Sequence, residues 1–188
     1  MKIANPDANF DSIPRTIIKG SGFIGGNFDH PKGQLRVLYL NPQASIFGLN
    51  NSTTPFAMYI STEYNLNNLP AKFLKDLPKI KYVLIKPSFD VEREKNLKHS
   101  KIPDWIKEFS GIEELALIFI DVENLAILSS LSIKQIRFLD ILIKDNNKFL
   151  QNLAKIKSLE EVQYDISLKG FVEQNKHKIK INFSQFHN

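Results

Sequence analysis

Six short stretches of this chain share one apolar pattern. Reading for apolar side chains at positions one, four and six gives Ile80, Val83 and Ile85 in IKYVLI, Ile112, Leu115 and Leu117 in IEELAL, Ile133, Ile136 and Phe138 in IKQIRF, and Leu159, Val162 and Tyr164 in LEEVQY. LRVLYL fits with Leu35, Leu38 and Leu40, and PFAMYI fits with Met58 and Ile60 behind a first-position Pro55. Such a recurrence outranks any local helix or strand preference, because each unit carries an apolar stripe that only a neighbouring unit can bury.

A second pattern precedes three of the six. Apolar residues stand six and three positions before the motif: Leu74 and Leu77, Ile106 and Phe109, Leu153 and Ile156. Spacing of three marks one face of a short helix. LPAKFLKDLPKI and IPDWIKEFSGI therefore read as return segments, with proline at a first helical turn where its missing N–H costs nothing. Each unit is expected to run strand, turn, short helix, with Trp105 aligned on Phe73 and assigned to the core.

The stretches begin 20 to 32 residues apart, and strand-plus-helix units of this spacing resemble leucine-rich repeats. The resemblance covers roughly residues 35–166. It implies an α/β solenoid with a curved, mainly parallel sheet and short helices on the convex side. A single domain is expected: residues 1–34 as an amino-terminal cap, 35–166 as the repeats with an insertion near 87–101, and 167–188 as a carboxy-terminal cap ending in a strand around Ile179, Ile181 and Phe183. The ninth position, often asparagine in that family, is here Gln43, Glu63, Ser88, Ile120, Ile141 and Ser167. Irregular turns after the strands follow from that departure.

Side chains alternate along a strand, so inward fourth and sixth positions leave the third, fifth and seventh on the concave sheet. That surface carries Tyr39, Tyr59, Tyr82, Leu84, Glu114, Ile118, Arg137, Leu139 and Gln163, the candidate partner-binding residues. Tyrosine, arginine and aliphatic groups on a rigid support are the ingredients of a protein-binding hot spot. The competing reading has Leu84, Ile118 and Leu139 covered by the chain's own loops, such as residues 41–54.

Other chemistry is weakly signalled. GSGFIG, residues 20–25, matches G-x-G-x-x-G and resembles the nucleotide loop of short-chain dehydrogenases, but such a loop must open a helix. Here Pro31 and Gly33 intervene before LRVLYL, so a glycine-rich turn is expected and no cofactor. His30, His99, His177 and His187 lack metal-ligand spacing and are expected at the surface. Ser21, Asp29 and His30 have no nucleophile elbow around the serine. Glu113, Glu114, Glu160 and Glu161 flank strands and read as solvated. Residues 95–101 and 176–180 are basic without interleaved aromatic platforms, so no specific nucleic-acid site is expected.

With 25 Lys and Arg against 20 Asp and Glu the net charge is +5, and there is no cysteine to form a disulfide or a thiolate site. The opening MKIANPDANFDSIPR has no apolar run of signal-peptide length, and no stretch approaches the ~20 apolar residues of a membrane span. A cytoplasmic, non-catalytic module that binds another protein is the expectation. Small bacterial chains of this degenerate repeat type resemble immunity proteins, and that resemblance implies a toxin as the partner. The alternatives are an intracellular adaptor or scaffold, with a second surface in residues 91–101, and a nucleotide-binding enzyme using residues 20–26.

Overall fold

The computed structural model describes residues 26–30, 33–40, 57–69, 71–88 and 98–186. Leu35, Leu38, Pro55, Gln43 and the loop 41–54 carry expectations that lie outside the described residues or side chains. Ten strands are described: β1 Gly26–His30, β2 Gly33–Leu40, β3 Ala57–Ser61, β4 Tyr82–Lys86, β5 Ser100–Lys101, β6 Glu114–Ile118, β7 Ile120–Asp121, β8 Gln135–Leu139, β9 Glu161–Tyr164 and β10 Asn182–Gln185. Three α-helices join them, α1 Ala71–Asp76, α2 Asn146–Lys155 and α3 Lys169–Asn175, together with 3₁₀ turns at Leu77–Lys79, Asp104–Glu108 and Val122–Ser130.

Eight strands form one sheet in the order β1, β2, β3, β4, β6, β8, β9, β10. From β2 onward every pairing is parallel, and only the β1–β2 hairpin is antiparallel. The result is a mixed α/β protein with a mostly parallel sheet. Parallel neighbours need a crossover between them, which from β3 onward the helices and 3₁₀ turns supply.

The register explains why the apolar pattern recurs. Position four forms one cross-strand row, Met58, Val83, Leu115, Ile136, Val162, and position six another, Ile60, Ile85, Leu117, Phe138, Tyr164. Both rows are buried, as are the first positions Ile80, Ile112, Ile133 and Leu159. Each strand thus stacks like residue on like residue, and each such side chain contributes ~1.5–3 kcal/mol by leaving water.

The return segments close the same core from its other side. Leu77, Ile106, Phe109, Leu153 and Ile156 are buried and Leu74 and Trp105 pack against them. Phe149 of α2 packs at a tilt against Phe138 of β8, 5.6 Å between ring centres, and edge-on against Phe171 of α3 at 5.4 Å. Polar caps start the helical segments: the carboxylates of Asp121, Asp145 and Asp165 accept from the backbone amides of Glu123, Lys148 and Ser167.

Three details differ from the sequence reading. The end of the charged insertion is a strand, since β5 pairs in parallel with β7, and an isolated bridge carries that ladder on from Asp121 to Leu142. Ninth-position Ile120 and Ile141 are buried, so these turns are held by apolar contact instead of an amide. An asparagine does serve the backbone, four residues later than the family pattern places it. Asn124 donates from Nδ2 to the Ile102 carbonyl at 2.8 Å and accepts from the Ile102 amide at 3.3 Å.

Candidate partner-binding face

On the face turned away from the main core the register builds two further rows. One runs Tyr39, Tyr59, Leu84, Ala116, Arg137, Gln163, Ser184, and the other runs Ala57, Tyr82, Glu114, Gln135, Glu161, Asn182. At the strand ends Ser61 is paired with Lys86 and Ile118 with Leu139. The sheet therefore brings the sequence-predicted residues together on one side. The side chain of Tyr39 lies outside the described residues.

The face has two parts of different character. Over β4 and β6, Leu84, Ala116 and Ile118 form a second apolar cluster, only 2%, 8% and 4% exposed, with Tyr59, Phe119 and Leu139 packed against it. Leu84 and Ile118 were expected as open contact residues, and in the folded chain they are not open. Aliphatic side chains on strands ~4.8 Å apart meet one another along the row, and Tyr59, Phe119 and Leu139 pack against them. The ammonium of Lys86 stands 5.0 Å over the Tyr59 ring, an attraction between a cation and the negative ring face.

Over β8, β9 and β10 the same face is polar and half-buried. Arg137 donates from Nε at 2.9 Å and from one terminal nitrogen at 2.7 Å, both to Oε1 of Gln163, and its guanidinium lies 5.3 Å from the Phe186 ring centre. Ser184 donates its hydroxyl to the Glu161 carboxylate. Tyr82, Glu114, Gln135, Leu139 and Gln163 are each half-buried.

Two rims frame this face. At the strand starts, Glu113 bridges Lys81 at 3.0 Å and Lys134 at 3.6 Å, a charge ladder across β4, β6 and β8. At the strand ends, Glu63 accepts from the Ser61 hydroxyl and from the Ser88 amide at 2.9 Å, while the Ser61 and Ser88 hydroxyls are 2.7 Å apart. Burial pushes the Glu63 carboxyl up, and those hydrogen bonds more than reverse it, leaving its pKa lowered. Further along, burial likewise pushes Asp121 up, but the hydrogen bond and charge of Lys144, 2.5 Å away, hold it below its ordinary value. Lys144 is raised in turn by its bond to Asp121.

Two non-glycine residues at the strand ends adopt left-handed backbone, Phe119 with φ 55° and Asp140 with φ 46°. Both follow directly on a strand, β6 and β8. His99, expected at the surface, is half-buried between them: Nε2 is 3.0 Å from the Asp140 carbonyl, and its ring centre lies 5.9 Å from that of Phe119. His177 is exposed. These strand-end clusters of Ser61, Glu63 and Ser88 and of His99, Phe119 and Asp140 were not marked by the sequence. They combine residues from different units, and only the cross-strand register brings them together.

The other candidate chemistry resolves less. Gly26–His30, which follows GSGFIG directly, is a strand of a hairpin, at the point where a nucleotide loop opens a helix. Residues 20–25 themselves lie outside the described residues. Among the described residues no group of three or more His, Asp or Glu side chains is placed to hold a metal ion, and no helix is long and apolar enough to cross a membrane. Comparison with known proteins returns no matching family model, no matching curated protein and no matching solved structure.

Proposed function

We propose that this chain is a leucine-rich-repeat-like solenoid that works inside the cell by binding another protein, without catalysis, on the sheet face turned from the core. The observation that carries the reading is the row geometry. Tyr59, Tyr82, Glu114, Arg137, Leu139 and Gln163 lie half-buried on one in-register sheet. Side chains held this way offer contact area at low conformational cost, because the backbone beneath them is fixed by its ladder.

Leu84 and Ile118 enter this proposal as a packed floor that stiffens Tyr59 and Leu139, and Arg137 with Gln163 as its polar anchor. The sequential strand order, the stacked apolar rows and the return segments support the solenoid reading. The strand after GSGFIG weighs against the nucleotide-binding alternative. Within the binding class, a toxin neutralised by this chain is the partner we put first, and an adaptor role is the rival.

The test is capture from the native cell on the full chain and on a Tyr59→Glu, Arg137→Glu variant, followed by titration of the recovered protein against both. One stoichiometric partner that binds the wild-type chain and is lost with the variant, while circular dichroism stays unchanged, supports the face. Toxicity of that partner, relieved by this chain, supports neutralisation. Equal binding by the variant defeats the face assignment, and a nucleotide retained by the purified chain revives the enzyme reading.

A further inference from the structure

Among the described residues the sheet ends at β10, whose outer side has no paired strand. In a parallel strand both backbone groups of a residue point to the same side, and successive residues alternate. Asn182 donates its amide to the Glu160 carbonyl at 3.0 Å, and Phe186 donates to Tyr164 at 3.1 Å. Asn182, Ser184 and Phe186 therefore face β9. Phe183 and Gln185 direct their N–H and C=O groups outward, with no partner for them among the described residues.

Natural edges are commonly blunted by a charge, a proline or a bulge within the strand. Asn182, Phe183, Ser184 and Gln185 include neither charge nor proline, and their register against β9 is continuous. The basic residues stand just ahead of the strand instead. Lys176, His177, Lys178 and Lys180 are all exposed. Lys178 donates to the Asn175 amide oxygen at 2.8 Å, but the three lysines have no ion pair among the described residues, whereas Lys81, Lys134, Lys144 and Lys148 elsewhere are matched to carboxylates.

We infer that the free edge of β10 takes up an extended segment of a partner protein by strand addition, and that this segment carries carboxylates opposite Lys178 and Lys180. Backbone bonds to Phe183 and Gln185 supply the pairing, and the lysine run selects an acidic neighbour. A second copy of this chain is a poorer fit. Each copy carries a net charge of +5, so two copies repel one another at long range. The edge is separate from the proposed binding face, and neither reading depends on the other.

The experiment uses the full chain and a fluorescein-labelled peptide of alternating threonine and valine followed by three carboxylates, with a second peptide carrying lysines in their place. Saturable binding of the acidic peptide is expected, weakened about tenfold or more by Lys178→Glu, Lys180→Glu and by the lysine peptide. Gln185→Pro removes only an outward donor, and it too is expected to abolish binding while thermal melting shows a folded chain. Should that variant not fold, amide exchange on the wild type decides, with Phe183 and Gln185 slowed by the peptide. Failure of the acidic peptide to bind, equal binding of the lysine peptide, unchanged exchange at those amides, or self-association through this edge in its place overturns the inference.

Discussion

Arg137 of β8 and Gln163 of β9 face one another across the sheet, and two guanidinium bonds, at 2.9 and 2.7 Å, end on the same amide oxygen. Neither residue is deeply buried, so the pair is worth little to the fold. Arg137→Met is expected to change stability by less than ~1 kcal/mol in urea unfolding. On the proposed reading it weakens partner affinity by about tenfold or more, because a binding anchor loses its polar end. A loss of stability matching the loss of affinity would mark Arg137 as structural only.

Gly111 sits where no side chain fits. A Cβ there would lie 1.9 Å from the Pro78 carbonyl oxygen, a backbone atom that cannot rotate aside. Gly111→Ala should therefore destabilise the chain by ~1–3 kcal/mol through overpacking, read as a lowered urea midpoint. Gly170, with open space around the same position, serves as the control, and Gly170→Ala in α3 should be neutral or mildly stabilising.

The Asp121–Lys144 pair makes stability depend on pH at both extremes. The folded pKa of Asp121 lies below its ordinary 3.8. Its contribution is thus fully present above that value and disappears as pH falls through the lower folded one. The folded pKa of Lys144 lies above its ordinary 10.5, so its share is present below 10.5 and is lost as pH rises through the raised value. Thermal melts of Asp121→Asn against wild type should differ by a constant amount from pH 5 to 9, with the gap narrowing below pH 4. A gap that stays constant down to pH 2 would show that the pairing does not stabilise the fold.

Asp140 tests the left-handed turns. With φ at 46°, a side chain at this position costs ~1 kcal/mol relative to glycine. Asp140→Gly keeps the backbone carbonyl that meets His99, loses only the approach of its carboxylate to Nε2 at 3.6 Å and relieves that strain, so it should be within ~0.5 kcal/mol of wild type or above it. Asp140→Val should lose ~2 kcal/mol, because a β-branched residue tolerates this backbone poorly. The comparison needs only chemical denaturation of three proteins.

How much of this could be read from the sequence follows from what burial demands. Ile85, Leu117 and Phe138 occupy one buried row, and such a row is filled by apolar character at the same position of each unit, so the pattern is visible in the sequence. The return segments were visible for the same reason. Alternation also assigned Leu84 and Ile118 to the correct face, but it says which side a residue takes, not what closes over it. Asn124 escaped because its two backbone bonds reach Ile102, 22 positions away, from outside the expected ninth place. His99, Phe119 and Asp140 come from three separate stretches, so their meeting depends on register and on φ values that no residue type there announces.

The strand order has a bearing on how the chain reaches this structure. In the parallel part of the sheet each strand pairs, among the described residues, with the strands of that sheet that come before and after it in the chain, β5 and β7 forming a ladder of their own, with paired residues 20 to 32 positions apart. No contact in that ladder waits for the two ends of the polypeptide to find each other. A chain emerging from the ribosome can lay down β3 on β2, then β4 on β3, each arrival completing the platform for the next. The topology thus permits assembly in the order of synthesis, with β10 the last strand to dock.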